Sequence, residues 1–215
     1  MPAFKAPEMV ADSPSARQAT GALHRACDVL CAMMGLFFLS PLFCLIALAI
    51  KLDDGGHVFY RQDRVGRDFH LFRLCKFRSM VTGADRGGLL TAPEDSRVTR
   101  VGRWLRRCKL DELPQLFNVL NGDMQFVGAR PEVERYVQMF RSEYAEILQD
   151  RPGITDPATL AYRHEDKIFS IGRMEQQYVE AILPAKIKLS LEYQRRRNFL
   201  SDVRILLLTV FGLFR

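Results

Sequence analysis

The chain contains no Cys-x-x-Cys pair, no histidine cluster, no internal repeat and no low-complexity tract. Its five cysteines (Cys27, Cys31, Cys44, Cys75 and Cys108) are odd in number and scattered, and two of them fall in an apolar run. Such a set excludes a disulfide framework and a zinc site, and reads as reduced cytosolic or lipid-buried thiols. The four histidines lie too far apart for a His-based metal motif and read as surface or packing residues. Long apolar runs are scarce: one of 22 residues at 29–50 and one of 12 at 203–214. Acid is the minority charge, with 25 Asp and Glu against 31 Lys and Arg, a formal net charge of +6. That surplus favours an anionic partner (nucleic acid, phospholipid headgroup or phosphorylated substrate) without choosing among them.

What is present is the composition of a folded chain: 215 residues, 48% hydrophobic and 26% charged, enough for one catalytic-sized domain with appendages. Residues 1–20 read as a loose tail. The run at 29–50, bounded by Asp28 and Lys51, could cross a bilayer core of about 30 Å as a straight helix. It is too long for the apolar core of a secretory signal peptide. Ser40-Pro41 in its middle is expected to bend or break the helix, because proline removes one hydrogen bond and clashes with the carbonyl four residues back. The serine hydroxyl can bond a freed carbonyl, which lipid cannot. Basic residues flank both ends, Arg17 and Arg25 before and Lys51, Arg61 and Arg64 after. Positive charge on both sides is the pattern of a helix that returns to the face it entered. From the residues alone, a re-entrant helix and a true span both stand.

Beyond a turn-rich junction, Val58 to Arg61 reads as a short extended piece and 69–80 as a second strand. Phe69, Leu71, Cys75 and Phe77 fall on one face of that strand, Lys76 and Arg78 on the other. A polar loop is expected at 83–96. From Arg97 to Lys109 there are six basic side chains and no acid. If this stretch is helical, Arg103, Arg106 and Arg107 share a face, a costly arrangement unless an anion sits opposite. Asp111 and Glu112 then arrive together. Leu113, Leu116, Phe117 and Leu120 form one helical stripe. Pro114 is tolerated only in a first turn, so this helix starts near Asp111 and ends at Asn121-Gly122. At that positive end Asp111 is either a plain helix cap or an ionised nucleophile or metal ligand. Further along, the spacing predicts one helix over 133–150, an extended piece at 159–163, and helices over 172–183, stopped by Pro184, and over 185–198. The last apolar segment, capped by Ser201-Asp202, is either a core helix or one lying in a membrane interface.

The words Phe59-Tyr60-Arg61-Gln62-Asp63-Arg64-Val65-Gly66, Lys76-Phe77-Arg78-Ser79-Met80, Leu110-Asp111-Glu112-Leu113-Pro114-Gln115-Leu116, Val127-Gly128-Ala129-Arg130-Pro131 and Arg151-Pro152-Gly153-Ile154-Thr155 together resemble the bacterial sugar transferase family. These are the small monotopic phosphoglycosyl transferases. The resemblance implies an α+β, mostly helical fold: a re-entrant membrane helix at 28–51 broken at Ser40 and Pro41, a small β-hairpin and interfacial amphipathic helices. Residues 1–27 would precede that helix as a flexible or amphipathic segment, and 52–215 would form the cytoplasmic catalytic domain at a bacterial inner membrane. The implied reaction moves a sugar-1-phosphate from a UDP-sugar to polyprenyl (undecaprenyl) phosphate with release of UMP, through a covalent phosphosugar on an aspartate. Asp111 would be the nucleophile, Glu112 its helper, and both would hold Mg²⁺, with Mn²⁺ as a substitute. Lys76, Arg78, Arg106, Arg130 and Arg163 would bind the phosphates or nucleotide. The protein partners implied are a second copy and downstream glycosyltransferases, with inner-membrane lipid around them and no nucleic acid.

Two words depart from the family pattern. Ala129 stands where a proline is usual, and Asp156-Pro157-Ala158-Thr159-Leu160 replaces the usual Gly-Leu-Ala-Gln-Val in a loop expected near the sugar or nucleotide. Two other classes compete on the residues alone. One is a membrane-anchored protein that binds nucleic acid or anionic lipid and uses Asp111 only as a cap. The other is a hydrolase with paired carboxylates, disfavoured because adjacent residues at a helix start point about 100° apart.

Overall fold

A computed structural model of the chain describes residues 14–84, 88, 90–91, 95–163 and 173–212, with side chains from Gly21 onward. Of the loose tail expected at 1–20, residues 1–13 lie outside the described residues while 14–20 are helical, a correction. Parts of the expected loop at 83–96, the start of the expected 172–183 helix and residues 213–215 also lie outside the described residues. The fold is α+β and mostly helical, with two small two-stranded sheets among the described residues.

Helix α1 runs from Pro14 to Asp54. Its stretch Gly21–Asp54 is long and apolar enough to cross a membrane. One face is not free for lipid, however. Ala32, Leu36, Leu39, Phe43, Ile46 and Ile50 step by fours and threes and pack on the rest of the molecule. The opposite face leaves Phe37, Phe38, Leu45, Leu48 and Leu52 exposed. Pro41 lies inside the helix without ending it. Its missing N–H would have served the Phe37 carbonyl, and Ser40 Oγ donates to that carbonyl instead at 2.8 Å. The Ser40 hydroxyl thus supplies the hydrogen bond that Pro41 cannot make.

Strands β1 (Phe59–Val65) and β2 (Leu71–Phe77) form an antiparallel hairpin in register Phe59↔Phe77 to Val65↔Leu71. A 3₁₀ turn at Arg67–Phe69 joins them. The strand expected over 69–80 is shorter because Phe69 is left-handed (φ 63°) and Met80 forms only an isolated bridge to Val98. Helix α2 (Arg100–Arg107) is capped by Thr99, whose hydroxyl accepts from Gly102 N–H at 2.9 Å. Gly102 presses on the chain just past β2: a Cβ there would lie 2.0 Å from the Ser79 carbonyl oxygen. A 3₁₀ turn at Leu110–Glu112 precedes α3 (Gln115–Asn121), which ends at Gly122 with φ 90°.

Four expectations are corrected. The 133–150 helix is two, α4 (Glu134–Met139) and α5 (Arg141–Ile147), because Phe140 (φ −124°, ψ 43°) is not helical. The piece at 159–163 is not extended: α6 (Pro157–Ala161) forms because Asp156 accepts from Thr159 N–H at 2.7 Å. Pro184 does not stop the chain. After α7 (Met174–Gln177) comes a π turn at Tyr178–Ile182, in which Leu183 N–H donates to the Tyr178 carbonyl five residues back. Pro184 then falls in the first turn of α8 (Leu183–Arg196), where a missing donor costs little. Finally, α9 (Phe199–Gly212) starts before Ser201. Asn198 Oδ1 accepts from Ser201 N–H at 2.9 Å and Ser201 Oγ accepts from Asn198 N–H at 2.8 Å, a reciprocal capping box. Asp202 is buried inside α9, where it accepts from the Tyr193 hydroxyl and Arg197.

Two short strands had no sequence forecast. β3 (Gln125–Val127) and β4 (Gly153–Thr155) pair in parallel and bring the Gly128-Ala129-Arg130 segment beside Arg151-Pro152-Gly153. The apolar interior has three parts. One joins Val65, α4, α5, the π turn and α8; a second joins the first half of α1 to β2 and α3; the third joins the second half of α1 to Phe77 and Leu105.

Candidate active site

The carboxylate pair sits where β2, α2 and the 3₁₀ turn before α3 converge. Asn118 on α3 sets the spacing: its Oδ1 accepts from Cys75 N–H at 2.9 Å, and its Nδ2 donates to the Arg73 carbonyl at 2.8 Å. An amide side chain thus extends the β2 ladder and holds Lys76, the next residue on the strand, close to the segment that carries the acids.

Asp111 and Glu112 have opposite surroundings. Glu112 Oε1 accepts from Lys76 Nζ at 3.5 Å, and Arg130 grips both of its oxygens, Nη1 to Oε2 at 2.9 Å and Nη2 to Oε1. Burial opposes its ionisation, but the Arg130 guanidinium and the Lys76 ammonium outweigh that and hold its carboxyl well below the usual range. Burial also lowers the Lys76 pKa, with Glu112 pulling the other way. Asp111 is 6% exposed, and its Oδ1 is buried without a hydrogen-bond partner. Burial and the neighbouring Glu112 raise its pKa, against Lys76, Arg106 and Lys109. With that oxygen bonded to no backbone N–H, Asp111 is not the helix cap that the dipeptide alone would predict.

Among the other expected anion-binding residues, Arg106 donates to Thr91 Oγ1 at 2.9 Å while its charge acts on Asp111. Arg78 is held at the end of α1, apart from the carboxylate pair. Its guanidinium is 8% exposed and pairs with both oxygens of Asp54 at the end of α1, with further bonds to the His57 and Met80 carbonyls. A cation so committed closes the α1–β2 junction. Arg163 lies against α9, where a Cβ on Gly212 would come within 2.2 Å of its Nη1, and it makes no contact with the carboxylates. Asp156, in the departing loop, is 1% exposed and spends its oxygens on Thr159 and Ser190. Its role is to cap α6 and tie it to α8. Sequence reading assigned no role to Gln115, Asn118 or Lys109, whose signal is only proximity to the acid pair.

Three or more His, Cys, Asp or Glu side chains placed to hold a metal do not occur among the described residues. Mg²⁺ does not require them, since it commonly takes one or two carboxylates and completes its shell with substrate phosphates and water. The uncommitted Asp111 Oδ1 fits that use. Glu112 does so less well, because Lys76 and Arg130 already hold both of its oxygens.

The model of the family described as "Bacterial sugar transferase" matches residues 19–215. Over 195 residues the chain is 39% identical to a UDP-glucose:undecaprenyl-phosphate glucose-1-phosphate transferase of Escherichia coli, covering 88% of this chain and 39% of that protein. It is 34% identical over 185 residues to an exopolysaccharide production protein of Rhizobium meliloti, covering 79% of this chain and 82% of that one. It is 42% identical over 129 residues to a putative undecaprenyl-phosphate N-acetylgalactosaminyl 1-phosphate transferase of Bacillus subtilis, with 60% and 72% covered. The chain thus spans about two fifths of the E. coli relative and most of the smaller ones. The motifs, the paired carboxylates among cations and the match along nearly the whole chain agree: the chain belongs to the bacterial sugar transferase family.

Proposed function

We propose that this protein is a phosphoglycosyl transferase that moves a sugar-1-phosphate from a UDP-sugar to undecaprenyl phosphate, with Asp111 as a covalent nucleophile. The observation that carries this reading is the division of labour between adjacent acids. Glu112 is locked by Arg130 and Lys76, whereas Asp111 keeps a buried oxygen bare in a cationic surrounding. A carboxylate used only for stability would be paired, because an unsatisfied buried polar atom costs about 1–3 kcal/mol.

In the first step an Asp111 oxygen attacks the phosphorus next to the sugar. The new P–O bond forms as the bond to the leaving UMP oxygen breaks, and UMP carries away that electron pair. In the second step an oxygen of undecaprenyl phosphate attacks the same phosphorus, the acyl-phosphate bond breaks, and the Asp111 carboxylate is restored. Lys76, Arg106 and Arg130 offset the diphosphate charge that would otherwise repel an anionic nucleophile. Asp111 would help hold a Mg²⁺, which would supply further positive charge to the phosphates.

The catalytic body belongs, on this reading, at the cytoplasmic face of the inner membrane, and the packing of α1 supports a monotopic, re-entrant placement over a span. Both halves of its apolar run pack on one catalytic body. Near the first half, Arg25 donates to the Val119 and Leu120 carbonyls at 2.5 and 2.9 Å. Near its end, Asp53 accepts from Val101 N–H of the arginine-rich α2 at 3.1 Å. A straight transbilayer course would pull charged elements into hydrocarbon or separate them from their partners, at a cost of several kcal/mol. The decisive experiment uses the full chain in nanodiscs with Mg²⁺, undecaprenyl phosphate and a panel of UDP-sugars, reading UMP. Release by the wild type and its loss in Asp111→Asn, together with a phosphosugar adduct found on Asp111 by mass spectrometry, is the expected result. No release with any donor would sink the proposal.

A further inference from the structure

Among the described residues, two buried side-chain polar atoms lack a hydrogen-bond partner: Asp111 Oδ1 and Gln115 Nε2. Native proteins rarely leave such atoms unpaired, and each one calls for a reason. These two lie four residues apart across the 3₁₀ turn and the start of α3, one helical turn along the same segment. Gln115 is 1% exposed. Neither atom is satisfied by the other.

Asn118, less than one turn further along α3, is the internal comparison. It is also a buried amide, 3% exposed. Its oxygen accepts from Cys75 N–H, and its nitrogen donates to the Arg73 carbonyl and to Asp123. The amide that serves the fold is saturated. The amide one turn from the acid keeps a bare donor.

The chemistry of the two atoms narrows what would satisfy both. Asp111 Oδ1 is a Lewis base and needs a donor, a cation or an electrophile. Gln115 Nε2–H is a donor and needs an acceptor. A metal ion alone would satisfy the carboxylate and leave the amide unpaired. A phosphoryl group answers both at once, with an electrophilic phosphorus for the carboxylate and a non-bridging oxygen for the amide. We propose that the Gln115 carboxamide is a substrate-contacting residue that donates a hydrogen bond to a non-bridging oxygen of the phosphoryl group transferred to Asp111. This rests on the transferase reading above and assigns that site one further group. The amide moves no proton and changes no bond order. It is neutral, so it adds direction without competing with Glu112 for Lys76 and Arg130, and it acts where charge develops on phosphorus-bound oxygen.

The test compares wild type with Gln115→Leu and Gln115→Met, both of which keep bulk and remove the donor. Full-length proteins in nanodiscs are assayed with UDP-glucose, UDP-N-acetylgalactosamine and undecaprenyl phosphate, with UMP as the readout and thermal unfolding measured in parallel. The expected result is a kcat reduced about 100-fold, the scale of losing one such donor. The UMP burst of the first half-reaction should slow by a similar factor, KM for the donor should change less than about threefold, and Tm should not fall. Removing a donor that lacks a partner does not weaken the ligand-free fold, whereas removing a structural amide does. Turnover within threefold of wild type in either folded variant overturns the assignment. So does a drop in Tm with kcat per folded molecule retained, or failure of both variants to fold, because each marks Gln115 as structural. If the wild type releases no UMP from any donor, the transferase reading itself has failed, an outcome read before either variant is made.

Discussion

At the residue scale, the two adjacent acids answer to different forces, and substitution should separate them. Asp111→Asn removes a carboxylate that burial and Glu112 disfavour, so it should abolish turnover while leaving Tm unchanged or raised by a few degrees in differential scanning calorimetry. Glu112→Gln leaves Arg130 and Lys76 as buried cations without their partner. Breaking such a pair typically costs about 3–5 kcal/mol, so Tm should fall by about 6–20 °C at 2–4 °C per kcal/mol. The pH dependences also run in opposite senses. Asp111 has a raised folded pKa, so its contribution to stability is full below its unfolded value near about 3.9 and is lost as pH rises through the folded value. Glu112 has a depressed folded pKa, so its contribution is present above its unfolded value near about 4.3 and is lost as pH falls through the folded value. The acid limb of the UMP burst should therefore lie above the ordinary aspartate range. A limb at or below about 3.9 would contradict the burial seen at Asp111. Much of this site was legible in the words around Lys76, Asp111, Glu112 and Arg130. Arg78 was not, because its partner Asp54 stands 24 residues earlier, at the end of an element whose docking no local pattern encodes. The bare donor of Gln115 was equally hidden, since a missing hydrogen bond is a property of tertiary packing.

At the element scale, the arginine-rich helix α2 is placed by a contact that admits little change. Gly102 brings α2 against the chain just past β2, with no room for a methyl group beside the Ser79 backbone. Gly102→Ala must shift α2 or that chain, an overpacking change worth about 1–3 kcal/mol. Because Arg106 rides on α2, the same change should lower kcat. A Tm and a turnover both equal to wild type would mean that the close approach has no role. Element type was legible where a periodic stripe met a clear stop, as with α3 and Gly122, although its expected start near Asp111 is a 3₁₀ turn and α3 itself begins at Gln115. Boundaries failed where hydrogen bonding overrode local preference: the π turn carries the chain past Pro184, and Asp156 turns an expected extended piece into α6. The β3–β4 pair escaped notice because three-residue strands are too short to alternate, and their partner lies 26 or more residues away.

At the scale of the whole molecule, α1 is both apolar surface and core. Its exposed face carries Phe37, Phe38, Leu45, Leu48 and Leu52, and α9 adds Leu200, Leu207, Val210 and Phe211. The helices meet where the His24 and Phe199 rings lie 5.8 Å apart. Accessibility tags at the two ends of the full-length chain should both report the cytoplasm, and Pro41→Leu should move part of the population to a spanning form. Tags on opposite sides in the wild type would refute the re-entrant placement. The length and charge flanks of this helix were plain in the sequence. Its buried stripe was not, since the run is uncharged and apolar on all sides but for Ser40, and nothing distinguishes the face that packs from the face left exposed.

The Arg25 guanidinium at the end of α3 has a consequence for how such a protein could be silenced. Through it, the membrane-facing helix closes the carbonyl end of the helix that follows Asp111. Cleavage between Asp54 and Val58 would therefore not release a working soluble enzyme. The freed fragment would expose Phe77, Leu105, Leu116 and Val119, which now pack against α1, and would lose the Arg25 clamp on α3. Any cell using this protein would lack a shed, active form: to detach it is to destroy it.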